Sequence, residues 1–360
     1  MKTRMKLHLI IYVAFIGLLT ACEHEIPFTP KTTEPQLIMN TLLDAGKAEN
    51  EVFLHLNEGQ SIGRLHEATL TLFVNGQIAE TPRALTAEEI CGSPDDYPEG
   101  TTIIYESIRY KLFRLTTAFR PGDHIRLEAT AEEGKYHVSA EVTVPQPVEN
   151  LHVDTCVANL REYRGYTPHR QYKITLQDRP NEKNYYRLDI WNDLTFRCEW
   201  DEYWQPEGET LKEAIVPMNR ETEIINREDV ILTDGHPTNY DDEENELFPT
   251  ISNQYNIFTD NTFRDSHATL KVYTPLYLEK RPSHIYQRLY RQQTITVRLL
   301  SLTEETYRYM KALNCLEDGD YDETLMEPIC LPSNVTGGLG FVGACSEARV
   351  TFEIPEQRLF

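Results

Sequence analysis

Positive charge is scarce in this chain: 35 lysine and arginine residues stand against 57 aspartate and glutamate residues, a formal net charge of −22. Nucleic-acid binding draws its affinity from lysine and arginine clusters that release phosphate counterions, so this balance argues against such a partner. Catalytic signatures are few as well. No phosphate-binding G-x-x-x-x-G-K-[ST] loop occurs, and His66-Glu67 lacks the second histidine of H-E-x-x-H; Gly59-Gln60-Ser61-Ile62-Gly63 has the G-x-S-x-G spacing, a short match that by itself names no reaction. No C-x-x-C pair points to zinc or to a dithiol redox site, and no repeat of solenoid length is visible. The apolar run LHLIIYVAFIGLL, Leu7 to Leu19, is 13 residues long. That is short of the roughly 20 needed to cross a bilayer as a helix.

The run is informative for what surrounds it. Lys2, Arg4 and Lys6 precede it and Leu19-Thr20-Ala21-Cys22 ends it, which is the form of a secretory signal. The Leu-Thr-Ala-Cys order resembles the bacterial lipobox, which implies cleavage before Cys22 and lipidation of its thiol. Residues 1–21 are then the signal peptide and 22–32 a lipidated tether. Acyl chains at about 0.8 kcal/mol per buried methylene would hold the protein on a membrane without crossing it. Cleavage removes three cations, so −22 becomes −25, a solvated and self-repelling surface. Glu23 and Glu25 after the lipidated cysteine resemble the acidic export signal of surface lipoproteins in Bacteroidota, which implies an outer-membrane location facing outward.

Six further cysteines, Cys91, Cys156, Cys198, Cys315, Cys330 and Cys345, are an even number in an exported chain, and disulfides are the expectation. Fifteen connectivities stay open, with Cys315 and Cys330 closing the shortest loop.

The chain reads as mostly β. In EVFLHLNEG the residues Val52, Leu54 and Leu56 alternate with polar or outward ones, and in ATLTLFVNGQ Leu70, Leu72 and Val74 do so before an Asn75-Gly76 turn. YKLFRLT, DHIRLEAT and YHVSAEVTV continue the series. We expect an N-terminal β-sandwich of immunoglobulin-like or transthyretin-like type over residues 33–148, ended by Pro145 and Pro147. A larger β-rich domain, 149–360, should follow, with strands in QYKITLQD, NYYRLDIW and TITVRLLSL. Ser301-x-x-Glu304 is a candidate capping box for its one short helix, which runs to about Leu313 and sets Tyr309 and Leu313 on one face. Between them the acidic run DDEENE, Asp241 to Glu246, reads as a solvated loop. Asp318-x-Asp320-x-Asp322 is a calcium candidate, although Glu323 replaces the glycine and Ile329 the final glutamate of an EF-hand, which excludes that motif.

Gly338-x-Gly340-x-x-Gly343 has the spacing of a dinucleotide-binding turn. Such a fold needs a crossover helix and a further strand after the turn, yet only 17 residues follow Gly343. Val350, Phe352 and Ile354 alternate within them as a last strand. The glycines therefore read as positions where strands approach closely, and no cofactor is expected. All three tryptophans, Trp191, Trp200 and Trp204, fall within YYRLDIWNDLTFRCEWDEYW, beside Tyr203. If Asn192-Asp193 turns a hairpin, Leu194, Phe196, Cys198 and Trp200 form one face of a strand, with Trp191 and Tyr185 on the other side of theirs. Trp191, Trp200, Tyr203 and Trp204 are the candidate binding residues, since tryptophan favours ring stacking and interface hot spots.

SNVTGGLGFVGACS, LLSLTEETYRYMKAL, NYYRLDIW, the FTDNTF segment and the early CE after the lipobox together resemble the Bacteroidota lipoprotein family catalogued as domain of unknown function 4249. That family is found beside TonB-dependent outer-membrane receptors. The resemblance implies a non-catalytic accessory of such a receptor and supplies no catalytic residues. The alternative is a structural or adhesive, fimbrillin-like surface subunit; a glycan-active enzyme is a further one, because paired carboxylates carry no local signature.

Overall fold

The computed structural model describes residues 34–58, 61–92, 108–162, 165–199, 213–218, 222–238, 252–276, 288–317 and 329–358. In chain order its elements are β1 (Gln36–Asp44), β2 (Asn50–Glu58), β3 (Ser61–Gly63), β4 (Ala68–Val74), β5 (Gln77–Glu80), helix α1 (Ala87–Cys91), β6 (Lys111–Leu115), β7 (His124–Ala131) and β8 (Tyr136–Thr143). There follow β9 (Leu151–Glu162), β10 (Gly165–Gln177), β11 (Tyr185–Glu199), β12 (Glu213–Met218), β13 (Ile257–Thr259), β14 (His267–Pro275), β15 (Arg288–Leu302), helix α2 (Glu304–Leu316) and β16 (Leu339–Arg358).

The period-2 pattern sets these strands. In β2, Val52, Leu54 and Leu56 are 0%, 0% and 5% exposed, while Glu51 and Phe53, on either side of Val52, face outward. Asn75 and Gly76, at φ 51° and 80°, make the left-handed two-residue turn that joins β4 to β5.

Among the described residues these strands form three sheets. A nine-stranded sheet runs β12-β11-β15-β16-β1-β2-β3, with β13 on β11 and β6 on β2; β5-β4-β7-β8 and β14-β10-β9 are smaller. One core lies between the β1, β2 and β16 part of the large sheet and the four-stranded sheet. A second lies between β11, β15 and β16 and the three-stranded sheet. Val144 closes the first and Val148 opens the second, on either side of Pro145 and Pro147. The strand β16 belongs to both: Val342 and Ala344 are in the first core, while Ala348, Phe352 and Ile354 pack on the second. The N-terminal sandwich is thus completed by the end of the chain.

The glycine stretch is the start of that strand. β16 pairs with β1 in parallel, from Ile38 opposite Leu339 to Asp44 opposite Cys345. A Cβ on Gly338 would lie 2.2 Å from the Leu37 carbonyl oxygen, and one on Gly340, at φ +118°, 2.2 Å from that of Met39. Glycine is what lets the two backbones meet.

Two local expectations are corrected. Asn192-Asp193 does not turn a hairpin: β11 continues through both, because β15 lies opposite the whole strand. The buried Asn192 is satisfied there by the Gln293 Nε2 donor at 2.8 Å. Nor does Ser301 cap the helix. It remains in β15, whose pairing with β16 extends to Leu302, so α2 starts only after Thr303. The Thr303 Oγ1 accepts from the Thr306 N–H at 3.3 Å, and the helix ends at Leu316, past Leu313.

Candidate binding cleft

Helix α2 packs on the face of the large sheet opposite the two cores. Its Met310 forms a third cluster with Tyr185, Leu300, Leu302 and Cys345 of the sheet beneath. Gly343 makes the close seat possible, since a Cβ there would come within 2.3 Å of the Phe341 ring and 2.4 Å of Thr306 Oγ1. The Tyr309 ring lies flat on Phe341, with centroids 4.3 Å apart and planes 10° from parallel. Past the helix end, Tyr255 is pinned from both sides: its N–H donates to Asn314 Oδ1 at 3.1 Å and its hydroxyl to Glu317 Oε1 at 2.8 Å. Burial, and then the Glu317 carboxylate, push the Tyr255 phenol up to about 12.

Facing the helix is the turn between β1 and β2. Asn50 holds it shut, its Oδ1 accepting from Asp44 N–H at 2.8 Å and its Nδ2 donating to the Asp44 carbonyl at 3.2 Å. The Ala45 N–H donates to the Cys345 carbonyl at 3.0 Å. This fixed turn presents Lys47 and Glu49, with Glu51 and Phe53 following on β2. Arg114 reaches Glu49 and Glu51 at 3.3 and 3.4 Å.

Between turn and helix lies a cleft of about 500 Å³, within the range of small-ligand sites. Asn40, Leu42 and Phe341 form its floor; Tyr255, Tyr309, Met310 and Leu313 one wall; Lys47, Glu49, Glu51 and Phe53 the other.

Behind the turn sits a buried ionic knot. Arg298, with 5% of its side chain exposed, places Nη2 2.9 Å from Asp44 Oδ2, Nε 2.5 Å from Glu347 Oε2 and Nη1 3.6 Å from Asp189 Oδ2. Burial acts to lower its pKa, but Glu347 and Asp44 outweigh it and the guanidinium is held charged, above its ordinary value. The knot ties β1, β11, β15 and β16 together. The Cys345 thiol beside it is pushed up, by burial first and by the Asp44 charge second.

Trp191, expected as a contact residue, lies within this knot: the Arg298 guanidinium stacks 4.0 Å from its ring centre. Trp200, Tyr203 and Trp204 fall outside the described residues, as do Cys22, the acidic run 241–246 and Asp318, Asp320 and Asp322. The side chain of Cys198 also lies outside them, its backbone being part of β11. Among the described residues the expected disulfides are not seen: Cys91, Cys156, Cys315, Cys330 and Cys345 carry free thiols. They are dispersed over different elements. Cys345 is enclosed under α2, whereas Cys156 is exposed on the edge strand β9, its thiol 3.8 Å from Gln171 Oε1. Among the described residues there is no cluster of three histidine, cysteine, aspartate or glutamate side chains fit to hold a metal, and no helix long and apolar enough to cross a membrane.

Of the cleft, sequence reasoning marked only the shared face of Tyr309 and Leu313. Phe53 left a signal that was passed over, an aromatic ring at an outward position of an alternating strand. Lys47, Asn40 and Tyr255 left none.

A family profile described as Domain of unknown function (DUF4249) matches residues 23–351. No curated protein matches the chain. Among solved structures, the crystal structure of a DUF4785 family protein from Legionella pneumophila subsp. pneumophila str. Philadelphia 1 is similar at 7% identity and a TM-score of 0.21, covering 74% of this chain and 52% of its own. This chain thus spans about half the length of that protein, and nothing about the site is carried over from it.

Proposed function

The chain belongs to the DUF4249 family, and from that membership and the cleft we propose that it is a non-catalytic, lipid-anchored binding protein of the outer-membrane surface that serves a TonB-dependent receptor. The observation that carries the binding reading is the cleft itself: aromatic rings held on a packed helix, a pinned turn and the central sheet. Rings fixed before a ligand arrives lose little entropy on binding, which is how a small site reaches useful affinity. The lipobox resemblance at Cys22 supports the anchor, and Glu23 and Glu25 support an outward location. The family resemblance supports the receptor.

The test is fractionation and gentle extraction of the full-length protein. Wild type should be found in the outer membrane and co-purify with a TonB-dependent receptor, and Cys22→Ala should be unprocessed or soluble. Membrane retention of Cys22→Ala defeats the lipid anchor; absence of any such receptor from every mild extract defeats the accessory role.

A further inference from the structure

We propose that the cleft takes short peptides with free termini and an apolar or aromatic side chain, an assignment that rests on reading the cleft as a binding site. The argument begins with which polar groups lining it are already spent. Thr41 Oγ1 donates to the Glu51 carbonyl at 2.7 Å, and both side-chain ends of Asn50 are used on Asp44. The Tyr255 hydroxyl is committed to Glu317. Asn40 Oδ1 accepts from the Phe341 N–H at 2.9 Å, leaving its amide hydrogens. A sugar is recognised by a dense set of neutral donors and acceptors; here those of Thr41, Asn50 and Tyr255 are occupied by the fold itself, and among the described residues only the Asn40 amide hydrogens and the Tyr309 hydroxyl stay open.

The remainder is charged and of both signs. The Lys47 ammonium is in no ion pair among the described residues, and Glu49 and Glu51 meet only the long contacts to Arg114. Each carboxylate keeps acceptor capacity beyond those contacts. One cation and two anions around the aromatic rings of Phe53, Tyr309 and Phe341 complement a zwitterion with an apolar body. A net anion would be repelled by the −22 charge of the chain as a whole. In the bound peptide the α-ammonium faces Glu49 and Glu51, the carboxylate faces Lys47, and the side chain lies over the rings.

The probe is the tripeptide Ala-Phe-Ala, titrated calorimetrically into full-length protein in mild detergent. Saturable binding is expected, with affinity falling about tenfold or more when both termini are blocked by acetylation and amidation. Phe53→Ala should weaken both forms. Lys47→Gln should weaken the free-carboxylate peptide and leave the amidated one unchanged. Both residues are exposed, so unchanged thermal melts should certify the fold. Equal affinity for free and blocked peptide overturns the proposal, as does failure to bind any peptide, or maltose binding that Phe53→Ala abolishes. Receptor co-purification does not depend on the cleft being filled. A failure here with the receptor still present removes the peptide and keeps the accessory role.

Discussion

Replacing Gly340 by alanine should destabilise the fold by an amount its surroundings allow one to work out. Its φ of +118° is open to glycine and strained for any L side chain, at about 1–3 kcal/mol. A Cβ would also sit 2.2 Å from the Met39 carbonyl oxygen and 2.8 Å from its nitrogen, where contacts under 3.0 Å essentially never occur. The obstacle is backbone and cannot rotate away, and β1 is held on its far edge by β2. Relief requires β1 to withdraw by about 1 Å, loosening at least two ladder hydrogen bonds worth about 1 kcal/mol each. The sum is about 3–5 kcal/mol against the 5–15 kcal/mol of a typical fold. Gly76→Ala is the control: φ is +80° there but nothing lies within 4 Å of the added atom, so about 1 kcal/mol is expected. Urea unfolding followed by circular dichroism and by intrinsic fluorescence would compare the two. If Gly340→Ala loses no more than Gly76→Ala, close approach to β1 is not what requires glycine.

Arg298→Met strands Asp44 and Glu347 in a buried site, and a loss of about 3–5 kcal/mol is expected; a midpoint of denaturation near that of wild type would show that the knot is dispensable. Tyr185 and Tyr255 are both pushed up to about 12, chiefly by burial. Because the folded value is the raised one, their contribution to stability is complete below pH 10 and is lost as pH climbs through about 12. A phenolate absorbance titration should show both within a lagging class that also holds Tyr172, Tyr186, Tyr273, Tyr307 and Tyr309, all likewise raised by burial, and uniform ionisation near pH 10 would contradict this. In native protein iodoacetamide should label the exposed Cys156 and Cys330 and spare Cys345, which becomes reactive only in denaturant; peptide mapping that finds Cys345 modified before unfolding would disprove its enclosure.

How much of this could be read in advance depended on the range of the interaction. Val52, Leu54 and Leu56 declare a strand through neighbours two positions apart, and Asn75-Gly76 declares a turn through its own backbone preferences. Gly338 and Gly340 could be recognised as close-approach positions, but not that β1 was the strand approached. Asn192-Asp193 misled because a turn-forming pair in isolation is overridden when fifteen residues of β15 lie opposite. Thr303 was passed over for Ser301 because the point where a strand yields to a helix is set by the partner strand. The cleft was nearly illegible: Asn40, Lys47, Phe53, Tyr255 and Phe341 come from three separated stretches, and only tertiary packing brings them together.

The parallel pairing of β1 with β16 also orders events in time. Asn40 and Phe341, hydrogen-bonded to one another, are 301 positions apart. Closing a loop of that length costs about 5 kcal/mol of chain entropy before the contact returns anything. A chain synthesised from its N-terminus therefore carries β1 with β2 at one edge and bare amides and carbonyls at the other until almost all the rest has arrived. During that interval the bare edge is a template for wrong partners, including other copies of the chain, and a holdase chaperone that occludes it would raise the yield of folded protein. When β16 does arrive it supplies residues to both cores at once, so the two halves should lock in a single slow step, and a truncation that removes β16 should leave neither half folded.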